Sequence, residues 1–177
     1  DAPVIQNNKF VPGVGGGICQ LATNLYLTAL HADLEIVERH NHSRPVSYVP
    51  MGLDATVATG VLDLKFKNNF HHPLIITVSV DMDSLHTSIY GPQLEKKETS
   101  LLTEIVEYIA PTELIHPDPN LPQDTRVTVQ EGEEGYRVRV YKILSGEKGS
   151  KTLISEDIYR PVNKVVRMGI KSAGEIK

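Results

Sequence analysis

Residues 13 to 20 read Gly13-Val14-Gly15-Gly16-Gly17-Ile18-Cys19-Gln20, and Cys19 is the only cysteine in the chain. The reactive form of cysteine is the thiolate, which the unpaired amide N–H groups at a helix start favour. Glycines ahead of that start let a second backbone or a substrate come close. A cysteine nucleophile also needs a base, and the base needs a group to orient it. His42 stands 23 residues after Cys19 and Asp54 stands 12 after His42. The chemistry expected is covalent acyl transfer. Cys19 attacks, His42 serves as base and then acid, Asp54 orients His42, and amides at the helix start hold the oxyanion.

Two other uses of the same residues stay open. Gly15, Gly16, Gly17, Gln20, His40 and Arg44 form an expected binding set, and in a non-catalytic reading the glycines, His40, His42 and Arg44 make a groove for a peptide terminus with Cys19 buried; Arg39 and Arg44 flank the histidines and suit a carboxylate or a salt bridge. His40 and His42, two apart, would face the same way on a strand, and with Cys19 or Asp54 they have the composition of a zinc site. Other signals are weaker. The glycine run lacks the Lys-Ser/Thr pair of a phosphate loop and the spacing of a dinucleotide fingerprint, and no cofactor is expected. His71 and His72 read as a solvated loop, and His31, His86 and His116 have no partners nearby in sequence.

The elements that must position these groups follow from periodicity. Ile18, Leu21, Ala22, Leu25 and Ala29 recur at helical spacing, which predicts a helix with Cys19 in its first turn. It should end near His31-Ala32-Asp33, where Asp tolerates the left-handed conformation. Leu34 to Glu38 and Val61 to Lys67 read as half-buried strands, and Leu74 to Val80 with Leu85 to Tyr90 as a hairpin across Asp81-Met82-Asp83-Ser84. Gly91-Pro92 and the charged run to Glu98 mark a boundary. Beyond it, 105–109, 126–130, 136–144, 152–154 and 164–168 are short strand candidates, separated by turns such as His116-Pro117-Asp118-Pro119-Asn120 and Gly146-Glu147-Lys148-Gly149. The expected fold class is α+β: an N-terminal helix packed on an antiparallel sheet over 1–92, a linker over 93–98, and a small all-β module over 99–177. Cys on a helix start, His on the next strand and Asp on the strand after it is also the layout of papain-like and transglutaminase-like enzymes. The latter usually carry an aromatic residue where this chain has Arg44.

Composition narrows the partners. With 18 basic and 22 acidic residues the net charge is -4, and the basic residues form no stripe, which argues against nucleic acid. No apolar run approaches the ~18 residues of a spanning helix. The chain starts at Asp1-Ala2-Pro3, so a targeting or anchoring segment is expected upstream, and any membrane attachment would come through it. A single cysteine forms no internal disulfide, which fits a cytosolic protein and equally a cysteine-poor exported one.

Gly15-Gly16-Gly17-Ile18-Cys19-Gln20, the stretch Ala29 to His40, His42-Ser43-Arg44-Pro45-Val46-Ser47-Tyr48-Val49-Pro50, Asp54-Ala55-Thr56-Val57 and Asp63 to Asn69 resemble the VanW-like family from about residue 2 to 92. The family usually has Gly at the position of Asp33 and a further Phe- and Asn-containing segment upstream, so the domain reads as N-terminally incomplete. Val129 to Tyr136, Val140-Tyr141-Lys142 and Tyr159-Arg160-Pro161 through Gly169 resemble the extracellular five-glycine (G-five) module, with Asp124 where a glycine is common. These resemblances imply a bacterial cell-envelope protein, often membrane-anchored, linked to vancomycin resistance. The second module implies binding to N-acetylglucosamine-containing polymers, through residues 99–171, or a stiff spacer. The function expected is therefore a peptidoglycan-associated, cysteine-nucleophile amide hydrolase or transferase acting on cell-wall stem peptides. The alternatives are a non-catalytic peptidoglycan-binding module or a Cys/His zinc site.

Overall fold

The computed structural model describes residues 2–6, 9–13, 16–82, 84–92, 98–144 and 151–171, the first two segments and residue 16 as backbone only. A hairpin of β1 (Ala2–Gln6) and β2 (Lys9–Gly13) precedes the helix α1 (Gly16–His31). Then come β3 (Glu35–Glu38), β4 (Lys65–Lys67), β5 (Ile75–Asp81) and β6 (Ser84–Tyr90). The second half is all strand: β7 (Thr99–Ile109), β8 (Glu113–Pro122), β9 (Arg126–Gln130), β10 (Gly135–Leu144), β11 (Lys151–Tyr159) and β12 (Lys164–Lys171). The described residues are thus mostly β, with one helix packed against sheets. None of their helices is long and apolar enough to cross a membrane.

Helix α1 is amphipathic, but its buried face is rotated from the expected one. Ala22, Tyr26, Ala29 and Leu30 are buried while Ile18 is 59% exposed. Bulk decides the rotation: the long Tyr26 and Leu30 side chains go inward, and Ile18 stands at the open N-terminal end. The C-terminus closes as expected. Asp33 adopts φ 57, its N–H reaches Leu30 O at 3.1 Å, and Leu34 N–H reaches Ala29 O at 3.0 Å. This paired closure satisfies carbonyls the helix would otherwise orphan, with buried Leu34 as its apolar anchor.

Strands β5 and β6 pair in the expected hairpin. β6 faces α1, where Asn24 Nδ2 donates to Leu85 O at 2.7 Å and Thr87 Oγ1 donates to Asn24 Oδ1 at 3.1 Å. β3 pairs with β4, which begins only at Lys65. Val61 lies in a turn closed by the Ala58–Leu62 bridge and is 78% exposed.

In the second half β10 is the centre of a sheet ordered β11-β10-β7, and β12 the centre of another ordered β8-β12-β9. The turn expected at His116–Asn120 is instead part of β8, which runs parallel to β12. A proline-rich segment can be a strand because β8 lies at a sheet edge, where a missing N–H donor costs no ladder bond. The expected linker, apart from Glu98, and the turn at Gly146–Gly149 lie outside the described residues.

The two halves share a core. Around Ala22, Tyr26, Leu30 and Ala55 pack Ile36, Val57 and Leu64 from the first half and Leu101 and Ile154 from the second.

Candidate active site

Cys19 occupies the first turn of α1, where amide N–H groups have no intrahelical acceptor. One helical turn later Thr23 staples the helix to the segment after Asp54. Its hydroxyl donates to Ala55 O at 3.1 Å and accepts from Ala55 N–H at 2.9 Å. Cys19 therefore faces the same segment, with Sγ 3.5 Å from Thr56 Oγ1 and 3.7 Å from Val57 O.

His42 and Asp54 were expected on strands; both lie in the irregular chain between β3 and β4. Few ladder bonds form there because polar side chains, not a neighbouring strand, satisfy the backbone; one exception is Thr56 N–H to His40 O at 2.8 Å. Asp54 is 1% exposed. Its Oδ2 accepts both the backbone N–H and the ring Nδ1–H of His42, each at 2.6 Å. With Nδ1 so occupied, Nε2 is the nitrogen left to interact with Cys19, and the thiol and imidazole favour each other's charged form.

The electrostatics follow from these contacts. The His42 bond lowers the Cys19 thiol to about 7 against partial burial, with help from Thr56 and the Val57 carbonyl. Burial opposes charge on His42, yet its bonds to Asp54 and Cys19 raise it to about 9. Burial likewise opposes charge on Asp54, but His42, Tyr159 and Arg39 hold its carboxyl below the usual range. Between about pH 7 and 9 the pair is thiolate and imidazolium, the form in which a cysteine nucleophile acts.

Behind Asp54 sits a buried cation. Arg39 donates from Nε to Asp54 O at 2.6 Å and from Nη2 to Gly52 O at 3.0 Å and Asp54 Oδ1 at 3.3 Å. Its Nη1 reaches Asp157 Oδ1 at 2.6 Å, and its guanidinium carbon stands 5.0 Å from the centroid of the Tyr26 ring. One arginine thus faces two buried carboxylates, and a protonated His42 offsets the remaining negative charge.

The expected binding residues divide. Gly15 lies outside the described residues; Gly16 opens the helix. A Cβ at Gly17 would meet nothing within 4 Å, so packing alone does not demand glycine there. Gln20 is exposed. His40 does not join His42, because its Nε2 turns to Glu38 Oε1 at 3.1 Å. Arg44 pairs with Glu133 and lines a cleft of 410 Å³ with Pro45, Glu134, Tyr136, Arg160 and Val162. Cys19 and His42 are not among the residues lining that cleft. Among the described residues no group of three or more His, Cys, Asp or Glu is placed to hold a metal.

Four residues near the site escape sequence reasoning. Tyr48 packs edge-on against His42, rings 6.4 Å apart, and bonds to Thr23, while burial pushes its phenol up. Its position six residues after His42 in a Pro-bounded loop was the available signal. Thr56 and Tyr159 fall in stretches that carry the family resemblances, but nothing in the sequence marks them, or Asp157, as site residues.

The chain is similar to proteins already known. The family described as VanW like protein matches residues 1–90, and the G5 domain family matches 101–171. An uncharacterized Bacillus subtilis protein, YoaR, is 40% identical over 90 residues, covering 51% of this chain and 30% of its own length. The Vancomycin B-type resistance protein VanW of Enterococcus faecalis is 26% identical over 114 residues, 62% of this chain and 42% of that one. A solved structure of an IgA1 protease G5 domain is 29% identical, covers 43% of this chain and 94% of its own, and has a TM-score of 0.33. The chain spans less than half the length of the two curated relatives. It belongs to the VanW-like family, with a VanW domain over 1–90 followed by a G5 domain over 101–171.

Proposed function

We propose that this is a cell-envelope protein in which Cys19, His42 and Asp54 perform acyl transfer on an amide or peptide bond of peptidoglycan. The observation that carries the reading is the buried Asp54 Oδ2–His42 Nδ1 bond, with the Cys19 thiol electrostatically coupled to the same ring. The envelope setting comes from the family and from a relative named for vancomycin resistance. In the reaction the Cys19 thiolate bonds to the carbonyl carbon, and the oxyanion faces amides of the first turn of α1. The carbon–nitrogen bond then breaks as His42 delivers its proton to the leaving amine. Water, or an acceptor amine, loses a proton to His42 and releases the thioester, which restores the thiolate. The order of Cys on a helix start, then His, then Asp is shared with papain-like and transglutaminase-like enzymes, but His42 and Asp54 lie in irregular chain rather than on the strands of that layout. Residues 99–171 hold the site near an N-acetylglucosamine-containing polymer. Gly17 and exposed Gln20 border the open approach to the thiol.

The test is hydrolysis or transfer on muropeptides by the full chain beside Cys19→Ser and His42→Ala. Loss of turnover in both variants, with the wild-type thiol modified rapidly at neutral pH, is the expected result. Full turnover by Cys19→Ser, or a thiol inert until unfolding, overturns the reading in favour of a non-catalytic binding module.

A further inference from the structure

We infer that the second module completes this site: Tyr159 of β11 is a positioning residue that holds Asp54 in the orientation His42 needs. The inference rests on the proposed function for its purpose, since only a working His42 requires so fixed a carboxylate.

The hydrogen bonds determine the arrangement. Asp54 Oδ2 serves both N–H groups of His42 at 2.6 Å, so the carboxylate plane must be fixed from its other oxygen. That oxygen, Oδ1, accepts the Tyr159 hydroxyl and, at a longer 3.3 Å, Arg39 Nη2. The direction of the hydroxyl is set independently. Gly52 N–H donates to Tyr159 Oη at 2.6 Å, and an amide N–H only donates, so the hydroxyl's own proton must go to Asp54. Burial and the Asp54 charge push the phenol far up, so it keeps that proton. Tyr159 is 0% exposed, which removes competing water.

Strand periodicity brings a second hold from the same source. Ser155, Asp157 and Tyr159 alternate along β11 and face one side. Ser155 Oγ donates to Asp157 Oδ2 at 3.2 Å, and Asp157 Oδ1 anchors Arg39 Nη1 at 2.6 Å. Arg39 in turn grips the carbonyls of Gly52 and Asp54. The loop is seated closely on β10: at Gly52, φ 87, a Cβ would lie 2.5 Å from Val140 Cγ2. Residues 1–90 alone leave Asp54 Oδ1 without its hydroxyl donor and Arg39 Nη1 without its carboxylate. The tethering module therefore contributes to the geometry of the site.

The experiment compares full-chain wild type with Tyr159→Phe, Asp157→Asn and Val166→Ala, a buried change in β12 of the other sheet. Two quantities are read: the pH midpoint of Cys19 alkylation, and the low-field proton resonance of the His42 Nδ1–H bond to Asp54. In Tyr159→Phe the midpoint is expected to rise by about one pH unit and the resonance to broaden or vanish. Asp157→Asn shifts the midpoint in the same direction by less, and keeps the test open should Tyr159→Phe not fold. Val166→Ala leaves both unchanged. Wild-type values in both Tyr159→Phe and Asp157→Asn, or an equal shift in Val166→Ala, overturn the inference. A wild-type midpoint near 9 instead removes Cys19 as nucleophile, and the resonance with its response to Tyr159→Phe still decides the role of Tyr159.

Discussion

Replacing Asp54 by Asn keeps the side-chain volume and removes the charge on which the site is built. His42 stands at about 9 against an ordinary 6.5, although burial works against it. At ~1.4 kcal/mol per pH unit this gap is about 3 kcal/mol, most of it from Asp54 and part from Cys19. An amide can serve the two His42 N–H groups with its oxygen, but its NH2 then meets Tyr159 and Arg39, both donors. Removing one partner of a buried ion pair costs ~3–5 kcal/mol, so a lowered melting temperature is expected. With His42 no longer held protonated, the Cys19 titration should move from about 7 toward 9. The assay is the pH profile of attack on a disulfide reagent, with circular dichroism confirming the fold. At pH 7.5 the thiolate fraction falls about 25-fold, but a more basic thiolate is a better nucleophile by about eightfold at a Brønsted slope near 0.45. The rate at that pH therefore drops only about threefold, and the midpoint is the diagnostic quantity. A profile that keeps its midpoint near neutrality while the variant stays folded refutes the account of Cys19 activation.

The wild type should show little change in stability between about pH 7 and 9 from this pair. His42, raised above its unfolded value, gives stability fully present below 6.5 and lost as pH climbs to about 9; Cys19, lowered from 9.0, gives stability present above 9 and lost as pH falls to about 7. Across the shared window folding moves a proton from sulfur to nitrogen without net uptake. Denaturant midpoints in Cys19→Ser should instead fall steadily as pH rises above 6.5, and a flat profile there would count against the coupling. Gly52→Ala combines a left-handed backbone with a collision at Val140 and should cost ~2–4 kcal/mol by chemical unfolding, with the Cys19 midpoint displaced upward. Asp33→Ala loses both the Lys142 contact at 2.5 Å and tolerance of φ 57, whereas Asp33→Gly loses only the contact. The alanine variant should be less stable than the glycine variant by ~1 kcal/mol in urea melts, and the reverse order would contradict the strain argument.

Much of this was legible from the chain alone. Helical spacing placed Cys19 in a first turn, and Asp33 stops α1 as its tolerance of positive φ suggests. Alternation and turn residues located the β5–β6 hairpin. Family resemblance on the Gly-Gly-Gly-Ile-Cys-Gln run and on the Tyr159–Gly169 stretch gave the two-domain order that the family matches bear out. Local pattern failed where a neighbour decides the outcome. Pro-rich residues 116–120 became strand because β12 supplies a parallel partner at an edge, and Ile18 stayed exposed because tertiary packing selects the Tyr26 face.

The sequence by itself determined which reactive groups exist and their order: one thiol, a histidine 23 residues later and an aspartate 12 beyond it. Sequence reasoning names His42 as base and His40 as a binding residue without a contact to justify it, since two histidines in the same strand phase differ only in what surrounds them. Tertiary structure made that choice by burying Asp54 against His42 and turning His40 toward Glu38. It also brought Asp157 and Tyr159 to the site across more than 100 residues of chain. Periodicity reports which side of a strand faces inward, and only folding reports what that side meets.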